Sequence, residues 1–96
     1  MLLAGNYTFR SGTDGRGALK RFMSWAPPAG FVFQSHWAKV DGSGGVFLAE
    51  ADSAAAIFEA TGAFSDLIDF DIIPVIDVMD SVPISLKLYE WADSVG

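Results

Sequence analysis

The chain contains no cysteine, which excludes disulfides, zinc–thiolate sites and thiol nucleophiles without deciding the compartment. It has a single histidine, His36. No run of about 18 apolar residues occurs, and the first ten residues carry no basic stretch leading into an apolar segment. Neither a membrane span nor a secretory leader is therefore expected, and the simplest reading is a soluble, cytoplasmic protein. Basic residues are scarce, six Lys and Arg against twelve Asp and Glu, for a formal net charge of −6. Nucleic acid is not expected as a partner, because phosphate neutralisation supplies most of that affinity.

The charge is unevenly spread. Up to Lys39 the basic residues Arg10, Arg16, Lys20, Arg21 and Lys39 face only Asp14, whereas beyond it Lys87 faces all the remaining acids. Asp66, Asp69, Asp71, Asp77 and Asp80 match no cation-loop motif and read as a solvated or ion-paired strand end beside Arg10. A lone histidine leaves no transition-metal ligand set. The glycines at 12, 15 and 17 beside Arg10, Arg16, Lys20 and Arg21 fit neither phosphate-loop fingerprint. No metal and no cofactor is called for.

Apolar residues are abundant. They make up 51% of the 96 residues, and counting glycine while leaving out tyrosine raises the share to about 59%, above the usual ~45–50%. A chain of this length makes one domain, residues 1–96, whose small core leaves a large apolar face uncovered. A second copy of the chain is the expected cover.

Alternation predicts a strand over Leu2–Arg10, with Leu3, Gly5, Tyr7 and Phe9 on one face. Thr13 or Asp14 is placed to cap a helix running to about Trp25, with Leu19, Phe22, Met23 and Ala26 as its apolar stripe. Pro27 and Pro28 end it. A hairpin follows, Phe31–Val40 and Gly45–Ala51, joined through DGSGG, where glycine supplies positive φ. Asp52 or Ser53 caps a helix over Ala54–Thr61, and Asp69–Asp77 reads as a strand that Pro74 confines to a sheet edge. Ser81 starts a last helix over Val82–Ser94, with Pro83 in its first turn and Ile84, Leu88, Trp91 and Val95 on one face. The order β-α-β-β-α-β with an extra helix predicts an α+β, ferredoxin-like antiparallel sheet with helices on one face. The bare face then pairs with another copy, making a homodimeric α+β barrel.

Several positions together, Thr8-Phe9-Arg10 with Gly12, Leu19/Phe22/Trp25, Pro28-Ala-Gly30, Trp37, Gly44-Gly45, Glu50-Ala-Asp52, Phe64-Ser-Asp66-Leu67 and Pro74-Val75, resemble a family of small bacterial domains of unknown function. That family in turn resembles the dimeric α+β barrel superfamily. The resemblance implies a barrel dimer with a small-ligand cavity, as in its cofactor-independent monooxygenases and isomerases. It carries no catalytic motif.

Phe31–Ala51 holds the residues best suited to chemistry. An unperturbed imidazole titrates near ~6.5, which suits His36 to acid or base work in a closed cavity. Asn6, Tyr7, Gln34, Trp37 and Glu50 are the candidate ligand contacts. The bland alternative is a histidine hydrogen-bonded inside a dimer interface, and it is favoured where spacing fixes no partner for His36. Tyr7, Phe9, Phe33, Trp37 and Phe47 alternate as a set that lines either a core or a pocket. The hairpin's turn decides whether His36 and Glu50 share a face, and either register is open. Two functions compete: a small-molecule-binding or enzyme-like barrel, and a non-catalytic dimerisation or interaction module.

Overall fold

The computed structural model describes residues 1–13 and 15–96, so a cap at Asp14 lies outside the described residues. The chain is α+β. In order it forms β1 (Leu2–Phe9), α1 (Gly15–Ser24), β2 (Phe31–Ala38), β3 (Gly44–Ala51), α2 (Ala54–Gly62), β4 (Ile68–Val75) and α3 (Val78–Val95). The four strands make one antiparallel sheet in the order β2-β3-β1-β4, which is compatible with the ferredoxin-like arrangement. Pro74 sits on β4, an edge strand where its missing donor costs no ladder bond on the outer side.

Helices α1 and α2 lie over one face of the sheet. Leu3, Phe31, Phe47, Ala49 and Ala51 turn inward from the sheet and meet Ala56 and Ala60 of α2 in the core. Alanines on both surfaces let α2 lie close, and Ser53 caps it by accepting from the Ala56 amide at 3.1 Å. A smaller cluster of Ala18, Phe64 and Ile68 closes the other end.

Helix α1 is held differently. Its one buried residue is Ala18, and Leu19 and Met23, expected inside, are exposed. The contacts go instead through rings: Phe22 and Trp25 meet Phe33 and Phe64 at centroid distances of 5.1–6.5 Å. Bulky rings hold the helix off the sheet where alanine lets α2 approach. Arg21 anchors it from outside through a two-pronged pair with Asp66, 2.5 and 3.2 Å, and Arg10 meets Asp69 at 3.0 Å as the charge pattern anticipates. Arg21 holds the Asp66 carboxyl below its ordinary range.

Two local corrections have clear causes. Gly42 alone supplies the positive φ of the β2–β3 turn, with Asp41 accepting from the Ser43 amide and hydroxyl; Gly44 and Gly45 belong to β3. The last helix begins at Val78 rather than Val82, capped by Asp77, whose carboxylate accepts from the Met79 amide at 2.8 Å. Ser81 donates its hydroxyl to the Val78 carbonyl instead of capping, so Pro83 falls inside the helix rather than in its first turn.

Candidate functional site

The face on which His36 lies is decided by one irregularity in β2. Phe33 pairs with Ala49, yet Ser35 pairs with Leu48, so Gln34 is an extra residue with no partner across the ladder. Such a bulge breaks alternation and exchanges the faces of everything beyond it. Without it Phe33 and Trp37 would share the inner face. With it His36 stands opposite the inward Phe47, and Trp37 stands opposite the outward Val46. Trp37 therefore leaves the inner aromatic set, and His36 takes its place.

Between the sheet and the raised α1 lies a cavity of about 550 Å³. Tyr7, Phe33, His36, Phe47 and Phe70 line it from the sheet, Leu19 and Phe22 from α1, and Phe64 from the segment after α2. It is open rather than closed: Leu19, Trp37 and an edge of His36 remain exposed at its mouth. The ring of Phe33 stacks on His36 with centroids 4.8 Å apart and planes 11° from parallel, while Phe22 meets it edge-on at 5.5 Å.

The polar feature near the mouth is a hydrogen bond of 2.6 Å between Tyr7 Oη and His36 Nε2. These residues belong to β1 and β2, which are not neighbours, since β3 runs between them. The bond spans β3 because Gly45 lies opposite both Tyr7 and Ala38. A Cβ on Gly45 would collide with the Tyr7 hydroxyl and ring. Burial among aromatic rings lowers the His36 pKa and raises that of Tyr7. At neutral pH the phenol is thus protonated and the imidazole neutral. Two tautomers satisfy the bond: Tyr7 donates to Nε2 with the ring proton on Nδ1, or Nε2–H donates to the phenol oxygen and leaves the Nδ1 lone pair free. A neutral imidazole backed by a phenol can accept or relay a proton, and it can orient a polar group of a bound molecule.

The pKa shift has a consequence for stability. Folded His36 holds its proton less firmly than unfolded histidine, so its contribution is complete above ~6.5 and is lost as pH falls through the lower folded value. The groups around it are Tyr7, the rings of Phe22, Phe33 and Phe47, and Arg16 elsewhere on the cavity wall. Proton NMR is expected to give an imidazole midpoint below ~6.5. The melting temperature should fall between pH 7 and 5 more steeply for the wild type than for His36→Phe; equal slopes would contradict the assignment.

The other expected contacts separate. Asn6 and Trp37 border a second, outward groove of about 320 Å³ with Ala4, Val46, Leu48, Asp71 and Ile73, on the opposite face of the sheet. Trp37 also reaches the rim of the first cavity. Gln34 is exposed in the bulge. Glu50 lies between Leu2 and Val32 in the ladder, on the outer face, and pairs with the amino terminus of Met1 at 2.5 Å. Glu50 and His36 therefore do not face the same space. Phe22, Phe64 and Phe70 belong to the cavity wall although spacing alone did not single them out as site residues. The alternation of Ile68, Phe70 and Ile72 in β4 was the available signal for Phe70.

A family model described as "Domain of unknown function (DUF3303)" matches residues 1–89. The chain belongs to this DUF3303 family. The match takes in both strands of the Tyr7–His36 pair and most of α3. No curated protein and no solved structure matches the chain. Membership thus carries no activity to this DUF3303 domain, and its chemistry has to be argued from the cavity. No helix among its described residues is long and apolar enough to cross a membrane.

Proposed function

We propose that this DUF3303 chain is one domain that binds a small, largely planar and apolar molecule between α1 and the sheet, with Tyr7 and His36 as its polar anchor. The observation that carries the reading is the 2.6 Å Tyr7–His36 bond set in the wall of an aromatic cavity of about 550 Å³. Ligand sites are commonly apolar clefts of this size with few convergent polar groups, one of them with a shifted pKa. Where the ligand bears an acidic C–H or O–H beside the pair, the base is His36 Nδ1 in the tautomer whose Nε2–H donates to Tyr7 Oη, and Tyr7 is the group that holds that tautomer. No cofactor is needed for that step.

The same reading includes a homodimer. The outer face of the sheet presents Val32, Trp37, Val46 and Ile73 to solvent, an apolar surface that a second sheet covers in an α+β barrel. These exposed residues also favour a second function, an assembly module whose cavity is only a packing gap.

Thermal stabilisation across a metabolite library separates the two. A ligand at 100 times its Kd adds about 2.7 kcal/mol, which raises the melting temperature of a domain this small by about 10 °C or more. Planar aromatic acids, phenols and enols are the expected hits, and Tyr7→Phe or His36→Ala should remove most of the shift. A library without hits, or hits indifferent to both substitutions, would leave the assembly reading.

A further inference from the structure

Helix α3 is the least accounted-for element of the chain. It has 18 residues and none of them is buried. The radius of gyration is 17.3 Å and the longest axis 56 Å, whereas a compact chain of this length has a radius of about 12–13 Å. The helix projects from the domain.

Its composition does not suit a solvated arm. Val78, Val82, Leu86 and Tyr89 form one apolar side, interrupted by Asp93, and Ile84, Leu88, Trp91 and Val95 another, with Pro83, Lys87, Glu90 and Ser94 in one gap between them and the small Ser81, Ser85 and Ala92 in the other. A helix apolar over most of its circumference is one that is enclosed. An isolated helix is marginal in water and this one contains a proline, so its stability has to come from packing.

We infer that α3 packs on a second copy of the chain, across the free edge of that copy's β2, and closes the mouth of its Tyr7–His36 cavity. The inference rests on the sheet-to-sheet dimer proposed above. A two-fold axis parallel to the strands brings the β4 edge of one sheet over the β2 edge of the other. Because α3 leaves β4 after Val75, it starts beside the partner's β2 rather than beside its own. The mouth of its own cavity lies at the opposite edge and the opposite end of the sheet, near His36 and Ala38.

Area and charge agree with this placement. Four strands about 4.8 Å apart, with eight residues of about 3.3 Å each, give a sheet face of about 500 Å², short of the about 800 Å² per partner of a standard interface. One side of an 18-residue helix, about 27 Å long and about 10 Å wide, makes up most of the difference. Helix α1, which flanks the mouth, carries Arg16, Lys20 and the Asp66-paired Arg21 and no carboxylate of its own, whereas α3 carries Asp80, Glu90 and Asp93 against Lys87 alone. The exposed Leu19 and Met23 on α1 are the apolar surface that α3 would cover. A helix laid along β2 also shields an unpaired strand edge.

The absence of cysteine makes the test clean. Leu19→Cys and Leu88→Cys, both at exposed positions, are prepared in separate chains, one lengthened by an affinity tag. The two are unfolded together, refolded as a mixture and treated with a short bis-maleimide, with light scattering on the same sample. The expected result is a dimer in which the tagged and untagged chains are joined as the main cross-linked band. Asp80→Lys, Glu90→Lys and Asp93→Lys combined in the Leu88→Cys chain should cut that band several-fold. A dimer that gives no such band, or a Leu19→Cys/Leu88→Cys chain that links only within itself, overturns the placement of α3 while leaving the dimer intact. A monomer at micromolar concentration removes the dimer and this inference with it.

Discussion

Gly44→Ala is expected to destabilise the domain by about 3 kcal/mol or more, a large part of the total stability of a domain this small. Gly44 opens β3 opposite Thr8. A Cβ there would fall on the Tyr7 carbonyl oxygen, 2.8 Å from its carbon and 2.9 Å from the Thr8 Cα. These are backbone atoms of the central strand. No rotamer change moves them, so β1 and β3 would have to part at this end of their ladder. Urea unfolding should show the midpoint falling by about 1 M or more. Gly62→Ala, at the end of α2 where a Cβ meets nothing within 4 Å, is the control and should be neutral or slightly stabilising. Equal midpoints for the two variants would refute the steric account.

Phe47→Ala should cost about 3–5 kcal/mol, the usual range for emptying a buried phenylalanine site. Phe47 is 5% exposed and touches the main cluster, with its ring lying over Gly5 of β1 where any Cβ would collide with it. The ring also stands edge-on to Phe33 at 5.3 Å and to His36 at 6.2 Å. Its loss therefore loosens the wall of the cavity as well as the core. The two positions should be coupled: Gly5→Ala alone is strongly destabilising, yet Gly5→Ala on top of Phe47→Ala should cost little, because the colliding ring is gone. Additive losses in a double-mutant cycle would contradict the contact.

Much of the architecture was readable before any coordinate. The alternation of Leu3, Gly5, Tyr7 and Phe9 grouped the residues that share one face of β1, the placement of Pro74 chose an edge strand, and the order of elements implied the split β-α-β sheet. Local stereochemistry and burial period act over neighbouring residues, so a sequence carries them openly. Arg10 beside Asp69 was legible too, since antiparallel pairing of β1 with β4 sets those ends side by side.

The candidate site was legible only in part. His36 and Tyr7 stood out by residue type, but nothing in spacing joined them. Their contact needs the bulge at Gln34 to turn His36 inward and the bare Cα of Gly45 to let the phenol cross β3. A bulge leaves no unmistakable mark in a sequence, because any residue can be the extra one and only the partner strand shows which it is. The same event carried Trp37 outward and parted His36 from Glu50. Leu19 and Met23 were misplaced for a related reason: period predicts an apolar stripe, whereas the ring contacts of Phe22 and Trp25 decide how closely the helix approaches.

The sequence by itself thus determined the elements, their order, the edge position of β4 and the excess of apolar surface. Only the tertiary structure decided which side chains share a cavity. Register across strands depends on pairing between distant segments, and a one-residue slip exchanges every face beyond it. Here that slip is what puts the imidazole beside the phenol.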